Sequence, residues 1–262
     1  MTDYQTILLT RDGRVATITL NRPKAIHALN KGMCDAMIAA LLAWKDDPAV
    51  KSVLIDHAGE RGFCAGGDIK AGADGGPFVQ DPSDPDHFAG KLFETIQACR
   101  KPTIARINGV AMGAGAGIIC ACDLAVMADH ARIGTPEVKV GLFPMTIVPP
   151  MMRVLPRRRL MEMFITGVPL TAEEALQFNL VNYVTDAAGL DDKVGELVAQ
   201  IAAQSPSAIR LGKYACHAME DMTYPQQMRF AETLLPRVAQ TEDAREGFDA
   251  FIAKRKPEWT GR

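Results

Sequence analysis

The sequence predicts an α/β core followed by a helical C-terminal section. Two observations lead to this fold class. Short β-rich segments alternate with helical ones as far as about residue 189, and beyond it the strand signals stop and helical segments follow one another. The chain has 262 residues, of which 48% are apolar and 23% charged, so it is long enough to bury a large core.

The N-terminal elements are predicted from alternation and turn residues. Residues 6–10 and 15–20 flank Asp12-Gly13, which predicts a β-hairpin. Apolar side chains then recur at helical spacing over 33–44. Extended apolar runs predict further strands at 50–57, 103–107 and 124–128.

The C-terminal section reads as four helices, with proline marking two of the breaks. Ser205-Pro206 and Tyr224-Pro225 are typical of a helix start, because proline is tolerated in the first turn. The predicted helices are 189–204, 207–220, 225–239 and 241–254.

Composition and charge argue against several partners. The net charge is −2 and no basic stripe is interleaved with aromatic residues, so we expect no nucleic-acid partner. No apolar run reaches the roughly 18 residues that a membrane-spanning helix needs, and the N-terminal MTDYQTILLT lacks the plan of a signal peptide. We therefore expect no membrane association and a cytoplasmic protein.

The cysteines and histidines do not form a recognisable metal or nucleophile motif. Six cysteines are scattered without CxxC spacing, and the close pair Cys120 and Cys122 has no nearby histidine to complete a zinc site. We expect reduced, mostly buried thiols and no bound metal. No serine or cysteine lies in a nucleophile elbow that would use one of the five histidines as a base.

Two glycine-dense stretches, 63–68 and 108–117, are the most informative part of the chain. Each follows an apolar strand-like run and removes side chains where a turn or helix start is expected. Backbone N–H groups exposed in this way can point at a ligand oxygen. Two such donors that meet at one point would form an oxyanion hole.

Two nucleotide-binding motifs match these glycines poorly. The 103–117 segment with Asp129 superficially matches a dinucleotide-binding fingerprint, but only about a turn and a half of helix fits between Gly117 and Asp123, too little for a parallel crossover. No Gly-Lys-Ser/Thr follows, which excludes a Walker A loop.

The Gly-, Pro- and Asp-rich segment 71–87 reads as a mobile flap over a pocket or, equally, as a surface insertion without function.

Five segments resemble the enoyl-CoA hydratase/isomerase (crotonase) family. They are NRPKAIHALN at 21–30, FCAGGDIK at 63–70, the long glycine-containing run at 101–144, ITGVPLTAEEALQFNLVNYV at 165–184 and EDAREGFDAFIAKRKPEWTG at 242–261. The resemblance runs nearly end to end and implies a spiral of ββα units followed by helices that build a homotrimer or a hexamer. It implies a core with the acyl-CoA site over residues 1–200 and a helical oligomerisation region over 201–262.

The resemblance also implies a set of catalytic groups. The N–H groups of Gly67 and Ala114 would hold the thioester oxygen of an acyl-CoA, and Glu137 would move protons beside the resulting enolate. Family hydratases have a second glutamate at the position of Gly117, and dienoyl-CoA isomerases have an aspartate where Met145 stands here. The mostly apolar surroundings of Glu137 are expected to raise its pKa by desolvation, which suits a proton shuttle.

With one carboxylate, the reaction that fits best is movement of a double bond from position 3 to position 2 of an enoyl-CoA. Hydration is expected to be weak unless a flap residue such as Asp74 contributes, and decarboxylation or acyl-CoA binding without catalysis stay open. No cofactor is expected beyond the coenzyme A of the substrate. Met145 to Met152 could line an acyl tunnel or simply pack in the core. The resemblance gives substrate contacts to Lys24, Ala25, Ile26, Ala65, Asp68, Ile69, Gly117, Leu142 and Lys254.

Overall fold

The described residues form two sheets, and the larger of them has six strands. The computed structural model describes residues 6–68 and 86–262. Across the first sheet the strands run in the order β1 (Ile7–Asp12), β2 (Val15–Leu20), β3 (Ser52–His57), β5 (Thr103–Ile107), β7 (Leu124–Ala128) and β10 (Tyr183–Thr185). β1 and β2 are antiparallel and the other neighbours are parallel.

The predicted hairpin and strands of this sheet are confirmed. Gly13 turns the chain between β1 and β2 with a φ of 54°, a conformation that glycine adopts without strain. In β2 the side chains of Ala16, Ile18 and Leu20 are buried and alternate with half-buried ones, because successive residues of a strand point to opposite faces.

Four very short strands form the second sheet. Their order is β4 (Gly62–Cys64), β6 (Val110–Met112), β8 (Arg132–Gly134) and β9 (Leu170–Thr171), and all pairs are parallel except β8 with β9. The chain passes three times from the first sheet to the second, from β3 to β4, from β5 to β6 and from β7 to β8. This repetition produces a spiral of paired strands, as the resemblance implied.

The helices of the core lie between and after these strands. Asn30 caps the first one, because its side-chain oxygen accepts a hydrogen bond from the Met33 N–H at 2.9 Å. The core helices are α1 (Lys31–Trp44), α2 (Phe88–Gln97), α3 (Ala114–Ala121), α4 (Val148–Met152), α5 (Arg157–Thr166) and α6 (Ala172–Gln177).

The predicted helical C-terminal section is also confirmed. It comprises α7 (Leu190–Ala202), α8 (Pro206–Met219), α9 (Tyr224–Ala239) and α10 (Glu242–Ile252). α7 belongs to the core, because Leu190, Val194 and Leu197 pack against residues of β5 and β7. The other three helices bury little in this chain, and the division at residue 200 stays a prediction. Over 6–68 and 86–262, no helix has the length and apolar character needed to cross a membrane.

Candidate active site

The first glycine stretch follows β4 and is held by the loop before α1. Gly67 forms an isolated parallel bridge with Leu29, in which the Leu29 N–H donates to the Gly66 carbonyl and the Asp68 N–H donates to the Leu29 carbonyl, both at 2.8 Å. This pattern turns the Gly67 N–H away from Leu29. No residue of the described part of the chain accepts a hydrogen bond from it. The Gly67 N–H is therefore available to a ligand.

The second glycine stretch forms the turn between β6 and α3. Gly113 has a φ of 51°, and its N–H donates to the Gly134 carbonyl at 2.8 Å. Ala114 is the first residue of α3, where backbone N–H groups have no partner inside the helix and the helix dipole is positive. Within residues 6–68 and 86–262 its N–H donates to no backbone acceptor. A second donor is thus available one residue after the turn.

The two turns pack directly against each other. A Cβ built on Gly113 would lie 3.5 Å from the Gly66 Cα, and one built on Gly66 would lie 3.4 Å from the Met112 carbonyl oxygen. Both glycines have positive φ, so a side chain at either place would be strained as well as crowded. Gly67 and Ala114 are the next residues on the two packed turns.

Glu137 lies beside the same turn. It belongs to a short 3-10 helix, Pro136–Val140, that follows β8, and its Oε1 is 2.6 Å from the place of a Cβ on Gly113. Its Oε2 is buried and has no hydrogen-bond partner among the described residues. Burial raises the pKa of this carboxyl group above its usual value. A carboxylate with a free oxygen therefore stands next to the two candidate donors.

Gly117 lies one turn into α3, and its surroundings are closed by apolar side chains. It is buried, and a Cβ there would lie 2.5 Å from both the Phe93 Cζ and the Ile147 Cγ2. Phe93 comes from α2, and Ile147 comes from a 3-10 helix, Met145–Ile147. The space that a side chain at 117 would need is already filled.

An ion pair ties the loop at 21–30 to the first glycine stretch. Arg22 donates to the Asp68 carboxylate at 2.6 Å and also to the Ala28 carbonyl. The Ala65 N–H donates to the Ile26 carbonyl at 2.8 Å. Ile26 and His27 have positive φ, which folds the loop back onto β4.

Comparison with known proteins decides the family. The family model described as enoyl-CoA hydratase/isomerase matches residues 10–262. The chain belongs to this family. A carnitinyl-CoA dehydratase of Salmonella arizonae is 38% identical over 98% of this chain and 99% of its own length, and a probable enoyl-CoA hydratase of Mycobacterium tuberculosis is 36% identical over 99% of each.

Solved structures of this family share the fold. The enoyl-CoA hydratase of Mycobacterium smegmatis has a TM-score of 0.88 at 32% identity and covers 97% of this chain and 98% of its own. The enoyl-CoA hydratase of Bacillus anthracis has a TM-score of 0.90 at 27% identity and covers 98% and 100%. The crotonase-like fold is thereby shown, and the chain is an enzyme of the hydratase/isomerase family.

The substrate-contact residues implied by the family resemblance differ in their exposure and in their distance along the chain from the two glycine turns. Lys24 is exposed on the 21–30 loop, and the N–H groups of Ala25 and Ile26 are used within it, donating to the carbonyls of Arg22 and Pro23. Ala65 and Asp68 flank the first turn, whereas Lys254 is exposed after α10. Ile69, Asp74 and nearly all of the 71–87 segment lie outside the described residues.

The methionine-rich segment is divided between core and surface. Met151 is fully buried, whereas Met145 and Met152 are 70% and 63% exposed. Leu142 and Phe143 precede it as partly exposed apolar residues next to the Glu137 segment. Core packing therefore explains Met151, and an exposed apolar rim remains near Glu137.

The expected burial of most of the thiols is confirmed. Four cysteines are buried, and burial raises the pKa of the Cys64 and Cys120 thiols to about 12, so neither is ionised at neutral pH. Within the described residues no three His, Cys, Asp or Glu side chains come together in a possible metal site.

Two residues that help to build the site were not singled out from the sequence. Arg22 lies within the 21–30 segment that resembles the family. Its place in that segment could have indicated that it lies close to the site. Phe93 is one of several apolar residues on one side of α2, and its position against Gly117 depends on how α2 packs on α3.

Proposed function

We propose that this enzyme acts on an acyl-CoA thioester, with Gly67 and Ala114 as its oxyanion hole and Glu137 as its proton carrier. One observation carries the proposal: the Glu137 carboxyl group, which has an oxygen without a partner, lies beside the two packed turns. The next N–H group on each turn has no backbone partner in the described residues. A thioester oxygen that gains charge would be stabilised there by donors that need no rearrangement.

The reaction that this arrangement supports best is an isomerase-type proton transfer. The Glu137 carboxylate takes a proton from C2 of a 3-enoyl thioester, and the electron pair of the broken C–H bond moves onto the thioester oxygen as an enolate. The protonated Glu137 then returns the proton at C4, and the double bond ends between C2 and C3. One carboxyl group serves both steps.

Phe93 and Ile147 form an apolar wall beside Gly117, which we call the wall at Gly117. This wall supports a reaction with one carboxylate. The family position for a second glutamate holds no side chain, and Phe93 and Ile147 fill the adjoining space. A water molecule is held in a protein by several polar partners. The side chains of Phe93 and Ile147 are apolar and supply no such partner. Addition of a free water is therefore disfavoured from the α3 side.

A second candidate is removal of water from a 3-hydroxyacyl-CoA, favoured by the 38% identity to a carnitinyl-CoA dehydratase. Glu137 would take the C2 proton and then donate it to the departing C3 hydroxyl group, so that water leaves and the 2-enoyl thioester remains. This route also uses one carboxyl group, but it is hydration in reverse, so the apolar side chains beside Gly117 disfavour it for the same reason. The two reactions differ in the substrate.

Substrate assays separate the candidates. The purified protein is offered 3-enoyl-, 2-enoyl-, 3-hydroxyacyl- and malonyl-type CoA thioesters, and products are followed by mass. Conversion of 3-enoyl to 2-enoyl thioester supports the isomerase proposal, and formation of 2-enoyl from 3-hydroxyacyl thioester supports dehydration. Turnover of the malonyl type alone would assign a decarboxylase. Tight thioester binding without any turnover would overturn the enzyme mechanism proposed for this site.

The exposed apolar side chains of the C-terminal helices support the expected homotrimer or hexamer. Leu235, Phe251 and Ile252 are 69%, 83% and 79% exposed in the single chain. Large apolar groups exposed at the surface of a single chain are typical of a protein interface. Lys24 and Lys254 are both basic and exposed, and we propose them as contacts for the phosphates of coenzyme A, with Lys254 supplied by a neighbouring subunit.

A further inference from the structure

A cavity of about 420 Å³ lies at the opposite end of the first sheet from the candidate active site. Lys51 and Pro102, which line it, come just before β3 and β5. The 21–30 loop and the turn at 108–114 instead follow the carboxyl ends of β2 and of β5. Because these strands are parallel, the cavity lies at their amino ends and the active site at their carboxyl ends, so the two are separated by the length of a strand.

The lining of this cavity is strongly basic. Among the described residues, six basic side chains and one carboxylate line it, and they are Lys45, Lys51, Arg100, Lys101, Arg210, Arg262 and Asp46. We call it the basic cavity. Prolines and aliphatic side chains, such as Pro48, Pro102 and Ile209, form the rest of its walls.

Three carboxylates near the basic cavity have hydrogen-bond or ion-pair partners of their own. Asp46 pairs with Arg100 at 2.7 Å, and Asp47 pairs with Arg11 at 3.6 Å. The buried Asp243 accepts hydrogen bonds from Ser205 at 2.8 Å and from the Gly261 N–H at 2.9 Å, among others. Asp243 and Asp47 partly offset the lowered pKa of Lys51 and Lys101, but none of these carboxylates forms an ion pair with the remaining lysines and arginine.

Four cations of the lining have no carboxylate within 4.0 Å in the described residues, and they are Lys45, Lys51, Lys101 and Arg210. Lys101 donates to the Asp47 carbonyl at 2.8 Å, and Arg210 donates to the Gly261 carbonyl at 3.2 Å. Burial lowers the pKa of Lys51 and Lys101, and the charge of Lys51 lowers that of Lys101 further. Like charges held together in a concave surface repel one another unless an anion lies between them.

We propose that the basic cavity binds a small organic diphosphate. Lysines and the planar fork of an arginine are the groups that proteins use for phosphate oxygens, and four such cations line this cavity without an ion-pair partner in the described residues. The apolar walls would contact the organic part. The volume is within the range of small-ligand sites, which is about 300–1,000 Å³.

Calorimetric titration with inorganic pyrophosphate at constant ionic strength tests the proposal. The expected result is one site per chain, and Lys51→Met and Lys101→Met should each weaken binding on the order of tenfold, because each removes a charge-assisted contact. Lys256→Met, at an exposed lysine outside the basic cavity, serves as the matched control and should bind as the unmodified protein does.

Thermal melting supplies a second readout that does not depend on the ligand. Without pyrophosphate, Lys51→Met should melt no lower than the unmodified protein, because it relieves repulsion, whereas Lys101→Met also loses the hydrogen bond to the Asp47 carbonyl. Pyrophosphate should raise the melting temperature of each variant less than that of the unmodified protein. Absence of binding by the unmodified protein at millimolar pyrophosphate would overturn the proposal, as would undiminished binding by both variants. Loss of binding in Lys24→Met instead would assign pyrophosphate to the coenzyme A contact and would equally overturn it.

Discussion

The wall at Gly117 makes a prediction whose size follows from the structure. In Gly117→Ala the new Cβ would lie 2.5 Å from the Phe93 Cζ and the Ile147 Cγ2, whereas carbon atoms normally approach to about 3.5–4.0 Å. Both neighbours are buried, so each must shift by roughly 1 Å within a packed core. Overpacking of this kind costs about 1–3 kcal/mol, and the clash on two sides places it at the upper end.

Helix propensity works in the opposite direction and is smaller. Alanine is favoured over glycine in a helix by about 1 kcal/mol, which leaves a net destabilisation of about 2 kcal/mol. For a chain of this size that corresponds to a fall in melting temperature of roughly 4–8 °C. Gly195→Ala and Gly212→Ala are matched controls, because both glycines lie in helices with nothing within 4 Å of the new Cβ. Their melting temperature should stay level or rise.

The assay is thermal unfolding of the three variants and of Gly117→Ala combined with Phe93→Leu. The smaller side chain at 93 makes room, so the combined variant should be more stable than the sum of the single changes predicts, by about 0.5–3 kcal/mol. If Gly117→Ala alone is as stable as the controls, the wall is not packed as described. For the same reason Gly117→Glu is expected to lose stability and not to gain hydratase activity.

Three further predictions concern charge and assembly. Because burial raises the pKa of Glu137, its ionised form destabilises the folded state. Glu137→Gln should therefore melt higher than the unmodified protein at pH 8, and this difference should vanish at a pH below the ordinary carboxyl pKa. An equal difference in melting temperature above and below that pKa would contradict this. Arg22→Ala should cost on the order of 2 kcal/mol in urea unfolding because Asp68 loses its charged donor, with partial recovery in Arg22→Lys; an unchanged midpoint would refute the role of the pair. Light scattering should give a trimer or hexamer that Phe251→Asp disrupts, whereas a monomeric unmodified protein would refute the assembly.

Periodic elements were predictable from the sequence, and very short ones were not. The hairpin and the strands at 103–107 and 124–128 follow from local alternation and turn residues, as does α1 from its helical spacing. β4, β6, β8 and β9 have two or three residues each, too few to show a period. Their pairing is fixed by the repeated passage between two sheets, which is a property of the whole chain.

The candidate site shows the same division. Gly67, Ala114 and Glu137 were found because each stands in a motif that resembles the family. The contact of Phe93 with Gly117 joins residues of two different helices, and the Arg22–Asp68 pair spans 46 positions. Such contacts depend on how separate elements pack against each other, and neither residue spacing nor composition predicts this packing.

Turnover of a 3-enoyl-CoA by Glu137→Gln tests the central claim most directly. Glutamine keeps the shape of the side chain but cannot carry the proton, so the rate should fall about 10²–10⁴-fold while the dissociation constant for the thioester stays unchanged. A variant that turns over the thioester at the original rate would contradict the account.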